Sequence, residues 1–329
     1  MPPASIYLVI ATLCLFASQA VPARDTPSLR VEARIELPDT RGRIDHLAHD
    51  VEGQRLFVAE LGNHSVDVVD LEARRVMHRI APLDEPQGIA WSADTGLLYV
   101  ACGGDGTLRA FRGNDFVLAR SADVGEDADN VRLDASAQRL YVGYGAGALG
   151  VVDAATLAPV AVIRLKGHPE SFQLAPGNGR LLVNVPGAHQ VAVADRATSR
   201  QTDTWSTGKR AGNYPMAIDT PGNRVLVVFR QPPGIVAYRL SDGTIAGEAP
   251  VCGDADDLFV DERRDRIYVI CGEGRVDILD RKSLARLDTL VTAPGARTGL
   301  YSPEADRLFI AVRAQGDVAA SVWILAPVQ

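Results

Sequence analysis

Arg55-Leu56-Phe57-Val58 is the first of seven copies of one phrase: a lead residue, mostly arginine, then an apolar run centred on an aromatic or a leucine. The others are Leu97-Leu98-Tyr99-Val100, Arg139-Leu140-Tyr141-Val142, Arg180-Leu181-Leu182-Val183, Arg224-Val225-Leu226-Val227, Arg266-Ile267-Tyr268-Val269 and Arg307-Leu308-Phe309-Ile310. They return every 41 to 44 residues. A fixed period of this length is the signature of a repeat architecture, in which each unit buries its apolar face against its neighbours.

Outward from each copy the unit reads the same way. A short apolar strand such as His46-Leu47-Ala48-His49 comes first, then a polar turn such as Asp50-Val51-Glu52-Gly53. The repeated phrase follows, then a Gly- or Asn-rich loop and an alternating strand such as Ser65-Val66-Asp67-Val68-Val69-Asp70. A more polar fourth strand, as in Arg75-Val76-Met77-His78-Arg79-Ile80, closes the unit. Short strands separated by turn signals argue for all-β structure. Four per unit make the blade of a β-propeller. The units begin near residues 43, 86, 128, 169, 213, 255 and 297, so the fold is a seven-bladed β-propeller with four-stranded blades. The last unit has only three strands of its own. The alternating segment 29–37 supplies the fourth, closing the ring and hiding edges that would otherwise aggregate. Residues 24–329 are therefore one domain.

The chain has 329 residues, 47% of them hydrophobic, enough for a substantial core. A net charge of −7 offers no global basic field for nucleic acid or anionic lipid. The uncharged apolar run 5–17 is too short to span a bilayer and precedes small residues at Ala20 and Ala23. It reads as a signal peptide over 1–20, cleaved after Ala20 or Ala23, although its n-region lacks Lys and Arg. A periplasmic or secreted protein with no membrane span, expected to be monomeric, follows. Export permits disulfides. Of the mature Cys102, Cys252 and Cys271, a bridge, if one forms, joins Cys252 to Cys271; otherwise all three are buried thiols.

The phrases Gly42-Arg43-Ile44-Asp45-His46-Leu47, Leu56-Phe57-Val58-Ala59-Glu60-Leu61-Gly62-Asn63, Gly167-His168-Pro169-Glu170-Ser171-Phe172, Asp254-Ala255-Asp256-Asp257-Leu258 and Gly295-Ala296-Arg297-Thr298 resemble the exported YVTN-type (YncE-like) seven-bladed propellers. The resemblance covers the whole mature chain. It implies the fold and export, and no established activity that could be assigned to residues here.

Propeller ligand sites gather where the innermost strands begin, beside the central channel. Aligning the units places Asp45 and His46, Gln87, Asp129 and Asn130, Glu170 and Ser171, Tyr214, Asp256 and Asp257, and Arg297 and Thr298 at that mouth. The second strands are expected to add Glu60, Asn184, Arg230 and Arg313. Six carboxylates around one opening repel unless a cation, arginine or solvent intervenes. One reading is a site for Ca²⁺ or Mg²⁺, with Glu170, Asp256 and Asp257 as candidate ligands, or for a cationic or polyhydroxylated small molecule. The other is structural, with carboxylates capping turns and pairing Arg230, Arg297 and Arg313.

His46 is expected to be the only histidine at the ring. As a strand neighbour of Asp45 it should point to the opposite face, so a general-base pair is not expected. His49 lies near the strand's far end, while His64, His78, His168 and His189 fall in loops or an outer strand. The recurring Asp70, Asp153, Asp195 and Asp280 read as turn-capping residues rather than an acid/base set. The Gly-rich loops precede no helix that could hold a phosphate. No nucleophile–base constellation is recognisable and no catalytic residue is assigned. A binding or scaffold module for a small ligand or protein partner is the first expectation. A metal-assisted hydrolase or lyase of the lactonase or streptogramin-lyase type is the second. A non-cofactor subunit of a periplasmic dehydrogenase is the third.

Overall fold

The computed structural model describes residues 27–329. The expected signal peptide lies outside the described residues. Seven sheets of four antiparallel strands form the ring, and blades one to six run from the innermost strand outward in chain order. Blade one has strands Leu47–Asp50, Arg55–Glu60, Ser65–Asp70 and Arg75–Ile80. Blades two to six span 86–123, 131–164, 172–206, 211–249 and 255–291. Blade seven takes its inner strands from Thr298–Ser302, Arg307–Val312 and Ala320–Pro327, and its outermost from Leu29–Leu37. Ile35 opposite Val322 sets the register of that closure. Among the described residues no helix is long and apolar enough to cross a membrane.

The repeated phrase now has a physical meaning. Its strand is covered on both sides by neighbouring blades, so its apolar residues run on without interruption. In blade one, Leu56 packs into the core shared with blade seven, while Phe57 packs into the core shared with blade two. Tyr99, Tyr141, Leu182, Leu226, Tyr268 and Phe309 do the same for the following interfaces. Seven apolar clusters therefore sit between blades rather than in one central core, and the channel lining is left to the innermost strands.

The recurrent aspartates cap turns as expected. The carboxylates of Asp70, Asp153, Asp195 and Asp280 accept the backbone N–H of Ala73, Thr156, Thr198 and Ser283 at 2.7 to 3.0 Å. Cys252 and Cys271 are disulfide-bonded, tying the segment before blade six to the end of that blade's second strand. Cys102 is a buried free thiol.

Candidate functional site

Leu47, Ile89, Val131, Phe172, Met216, Leu258 and Gly299 stand opposite the last residue of each repeated phrase. Alternation along a strand turns the residues on either side of them inward. Toward one end this gives the ring His46, Gly88, Asn130, Ser171, Pro215, Asp257 and Thr298; toward the other, Ala48, Ala90, Arg132, Gln173, Ala217, Phe259 and Leu300. Position 88 has room only for glycine, because a Cβ there would stand 2.0 Å from the Asp129 carbonyl of blade three.

Simple alternation would turn the preceding residues away, yet they face the channel as well. Asp45 N donates to Ala59 O while Ala59 N donates to His46 O, so two residues of blade one oppose one. Asp129 and Asn130 oppose Gly143 in the same manner, and Glu170 and Ser171 oppose Asn184. The pairing slips at the equivalent place in blades two, five and six. These are β-bulges, which re-aim a side chain at a barrel or channel rim. They bring the rim residues Asp45, Asp129, Glu170, Tyr214 and Asp256 together with His46, Asn130 and Asp257 around a cavity of about 40 Å³.

Asp45 Oδ1 lies 2.9 Å from His46 Nδ1, and Asp45 Oδ2 lies 2.7 Å from Arg43. The expectation that Asp45 and His46 diverge is thus corrected by the bulge. A second correction concerns His168. It reaches the rim, with Nδ1 3.3 Å from Asp127 and Nε2 3.7 Å from Asp129, so His46 is not alone there. Across the ring, Asp256 is held between Arg230 at 2.5 Å and Arg297 at 2.9 Å. Arg297 also meets Asp254 at 2.9 Å, and Arg230 stacks 4.0 Å over the Tyr214 ring.

Two expected members are elsewhere. Glu60 is fully buried inside blade one, accepting from Thr40 Oγ1 at 2.7 Å, Ser65 Oγ at 2.6 Å and Asn63 Nδ2 at 3.0 Å. Asn184 is also fully buried, donating to the carbonyls of Tyr214 at 3.0 Å and Pro215 at 3.3 Å. The register explains both: Asn184 and Glu60 stand one and two places past the end of the repeated phrase, whereas Arg230 and Arg313 stand three places past it. Arg43 and Arg132 are the inward-facing charges that the alignment of strand starts passed over.

The electrostatics follow from this packing. Burial alone would depress the His46 pKa, but Asp45 outweighs it and, with Asp129 and Asp257, raises it to about 9. Asp45 is lowered in spite of its burial by His46, Arg43 and Arg297. Glu170 is pushed up to about 7 by burial and Asp129, against His168 and Arg230. Burial likewise lifts Asp257 to about 7, although its Oδ2 accepts the Gly299 N–H at 2.7 Å. Asp129 raises His168 to about 9. Arg313 is lowered by burial and by the nearby Arg297 and Arg43.

These donors do not suit Ca²⁺ or Mg²⁺, which take six or more oxygens. Asp256 is occupied by two guanidiniums, Asp257 by a backbone N–H, and Glu170 stands with Asp129 on the other side of the ring. Among the described residues no three His, Cys, Asp or Glu side chains converge as metal ligands.

No family profile matches the chain, and no curated protein matches it in sequence. Solved structures do match its fold. A chain of Kuenenia stuttgartiensis hydrazine synthase superposes with a TM-score of 0.74 at 16% identity, covering 91% of this chain and 100% of its own length. A chain from the crystal structure of a mitotic checkpoint complex gives 0.76 at 15% identity, covering 98% and 99%. At such identities the likeness is one of architecture: the chain is a seven-bladed β-propeller.

Proposed function

We propose that this propeller is an exported binding module of the YVTN type, and that its bulged channel rim takes up a group carrying both charges, from a small ligand or a partner chain. The observation that carries this is an acceptor atom and a donor atom left without hydrogen bonds on opposite sides of the ring. Asp129 Oδ1 on blade three and Arg313 Nη2 on blade seven are buried without a protein partner. Arg43 and Arg297 crowd Arg313, while Glu170 crowds Asp129. An anionic group set against blades seven and one, with a cationic group against blades three and four, relieves both. The enclosed space is of water size, so only the charged tip of such a ligand enters and its body lies over the rim. The disulfide supports the export part of this reading, because such bonds persist in oxidising compartments.

The test uses the full mature chain and glycylglycine as probe, beside its N-acetylated and C-amidated forms. Thermal stabilisation by the free dipeptide should exceed that by either blocked form. Arg313→Gln should erase the preference for a free carboxylate. Equal responses to all three, or none at millimolar concentration, reject the dipolar rim.

A further inference from the structure

The other end of the channel differs from the rim in size and chemistry. Two connected lobes of about 370 and 460 Å³ share Arg132, Gln173, Asp257 and Phe259. Volumes of a few hundred Å³, with mostly apolar walls and a few placed polar groups, are typical of small-molecule sites. The inner ring here is alanine, leucine or phenylalanine in five blades and glutamine in one; Arg132 is its only charge. Trp91 and Tyr301 widen the apolar surface toward the opening.

Arg132 lacks a fitting partner. Its guanidinium donates to the adjacent Val131 carbonyl at 2.9 Å and stands 5.6 Å from the Phe172 ring; among the described residues no carboxylate lies within 4 Å. Burial depresses its pKa, with Asp257 and Asp129 acting only from a distance. His46 faces the same space but is compensated by Asp45. Asp257 titrates near neutrality and in its protonated form adds a hydroxyl donor beside an incoming anion.

We infer that this lobe of the channel binds a small amphipathic carboxylic acid, its carboxylate forked onto Arg132 and its apolar body against Phe259, Leu300 and Trp91. The planar guanidinium suits a carboxylate, and the partial burial of Arg132 strengthens that bond. The lobe shares Arg132, His46 and Asp257 with the rim cavity, but it needs neither Asp129 nor Arg313, so its test can fail without the rim reading failing.

The probes are 4-phenylbutyrate and 4-phenylbutanamide, equal in shape and different in charge, titrated calorimetrically into the full mature chain at pH 6.5. The acid should bind about 10- to 100-fold more tightly than the amide, the factor expected for a hydrogen bond to a charged group. Arg132→Gln, which places in blade three the residue blade four already carries, should bring the acid down to the amide's affinity. Ala90→Phe, which fills the lobe lined by Leu300 and Trp91, should weaken both probes. Acid and amide binding equally to the unaltered protein, or neither binding, overturns the assignment without any variant. So does undiminished acid binding by Arg132→Gln.

Discussion

His46 Nδ1 stands 2.9 Å from the carboxylate of Asp45, its own neighbour in the chain, because a bulge turns both residues into the channel. The pair makes stability depend on pH. The folded His46 pKa is about 9, above the ordinary 6.5. A raised histidine contributes its full stabilisation below pH 6.5 and loses it as pH climbs through 9. His46→Gln should therefore cost about 1–3 kcal/mol at pH 6, with most of that deficit gone by pH 10. Urea unfolding of both proteins at pH 6, 8 and 10 measures it. His168 also titrates near 9 but is common to both proteins and cancels. A deficit independent of pH would show that His46 acts through packing alone.

Glu170 loses stability with rising pH as well, but in its case the form that costs stability is the charged one. Its folded pKa near 7 lies above the ordinary carboxylate value, so between roughly pH 4.5 and 7 the folded state holds a proton that the unfolded state has released. Stability from this group falls across that window and stays reduced above it. Glu170→Gln mimics the protonated form. The variant should match the parent at pH 5 and exceed it by about 1–3 kcal/mol at pH 8.5. Melting curves at the two pH values decide the matter; a variant less stable at pH 8.5 would mean that the ionised form is well paired by His168 and Arg230.

The blades and their number were legible because a buried strand must be apolar on both faces, and seven copies of Phe57 or its equivalents cannot be hidden. The closing strand Leu29–Leu37 was legible from its alternation and from the missing fourth strand of blade seven. The rim was legible only as a set of strand starts. Alternation gave the wrong answer for Asp45 and His46, since a bulge is a local slip in pairing with no composition of its own. Glu60 and Asn184 were misplaced for a related reason. A strand's last residues differ in direction at each step, and only Arg230 and Arg313 stand where the turn returns to the rim. Arg132 was missed because a single arginine in an innermost strand resembles any surface arginine until the other six blades show alanine, glutamine or an apolar residue in its place.

Removing the Cys252–Cys271 disulfide should destabilise blade six. It closes a loop with a sequence separation of 19, for which chain entropy gives about 3 kcal/mol. The bridge also anchors the segment that carries Asp254 and Asp256 to the rim. The double variant Cys252→Ser/Cys271→Ser should unfold at lower denaturant, and dithiothreitol should do the same to the parent while leaving the variant unaffected. A reductant-insensitive parent would indicate that the two sulfurs are not joined in the folded protein.

Asp256 offers the sharpest test of the rim as a structural unit, because Arg230 and Arg297 grip it from blades five and seven while it belongs to blade six. Burial raises its pKa, and the two guanidiniums act in the other direction. Taking away the carboxylate leaves two cations facing each other; taking away one arginine leaves the carboxylate half-paired. Each single change, Asp256→Asn or Arg297→Gln, should cost about 1–3 kcal/mol. If the contact is direct, the double variant should cost less than their sum, with a coupling of about 1 kcal/mol or more. Chemical denaturation of the four proteins closes the cycle. Strict additivity would mean that Arg230 alone compensates Asp256, leaving Arg297 paired with Asp254 and, beside Arg313 and Arg43, turned to the anionic side of the proposed ligand.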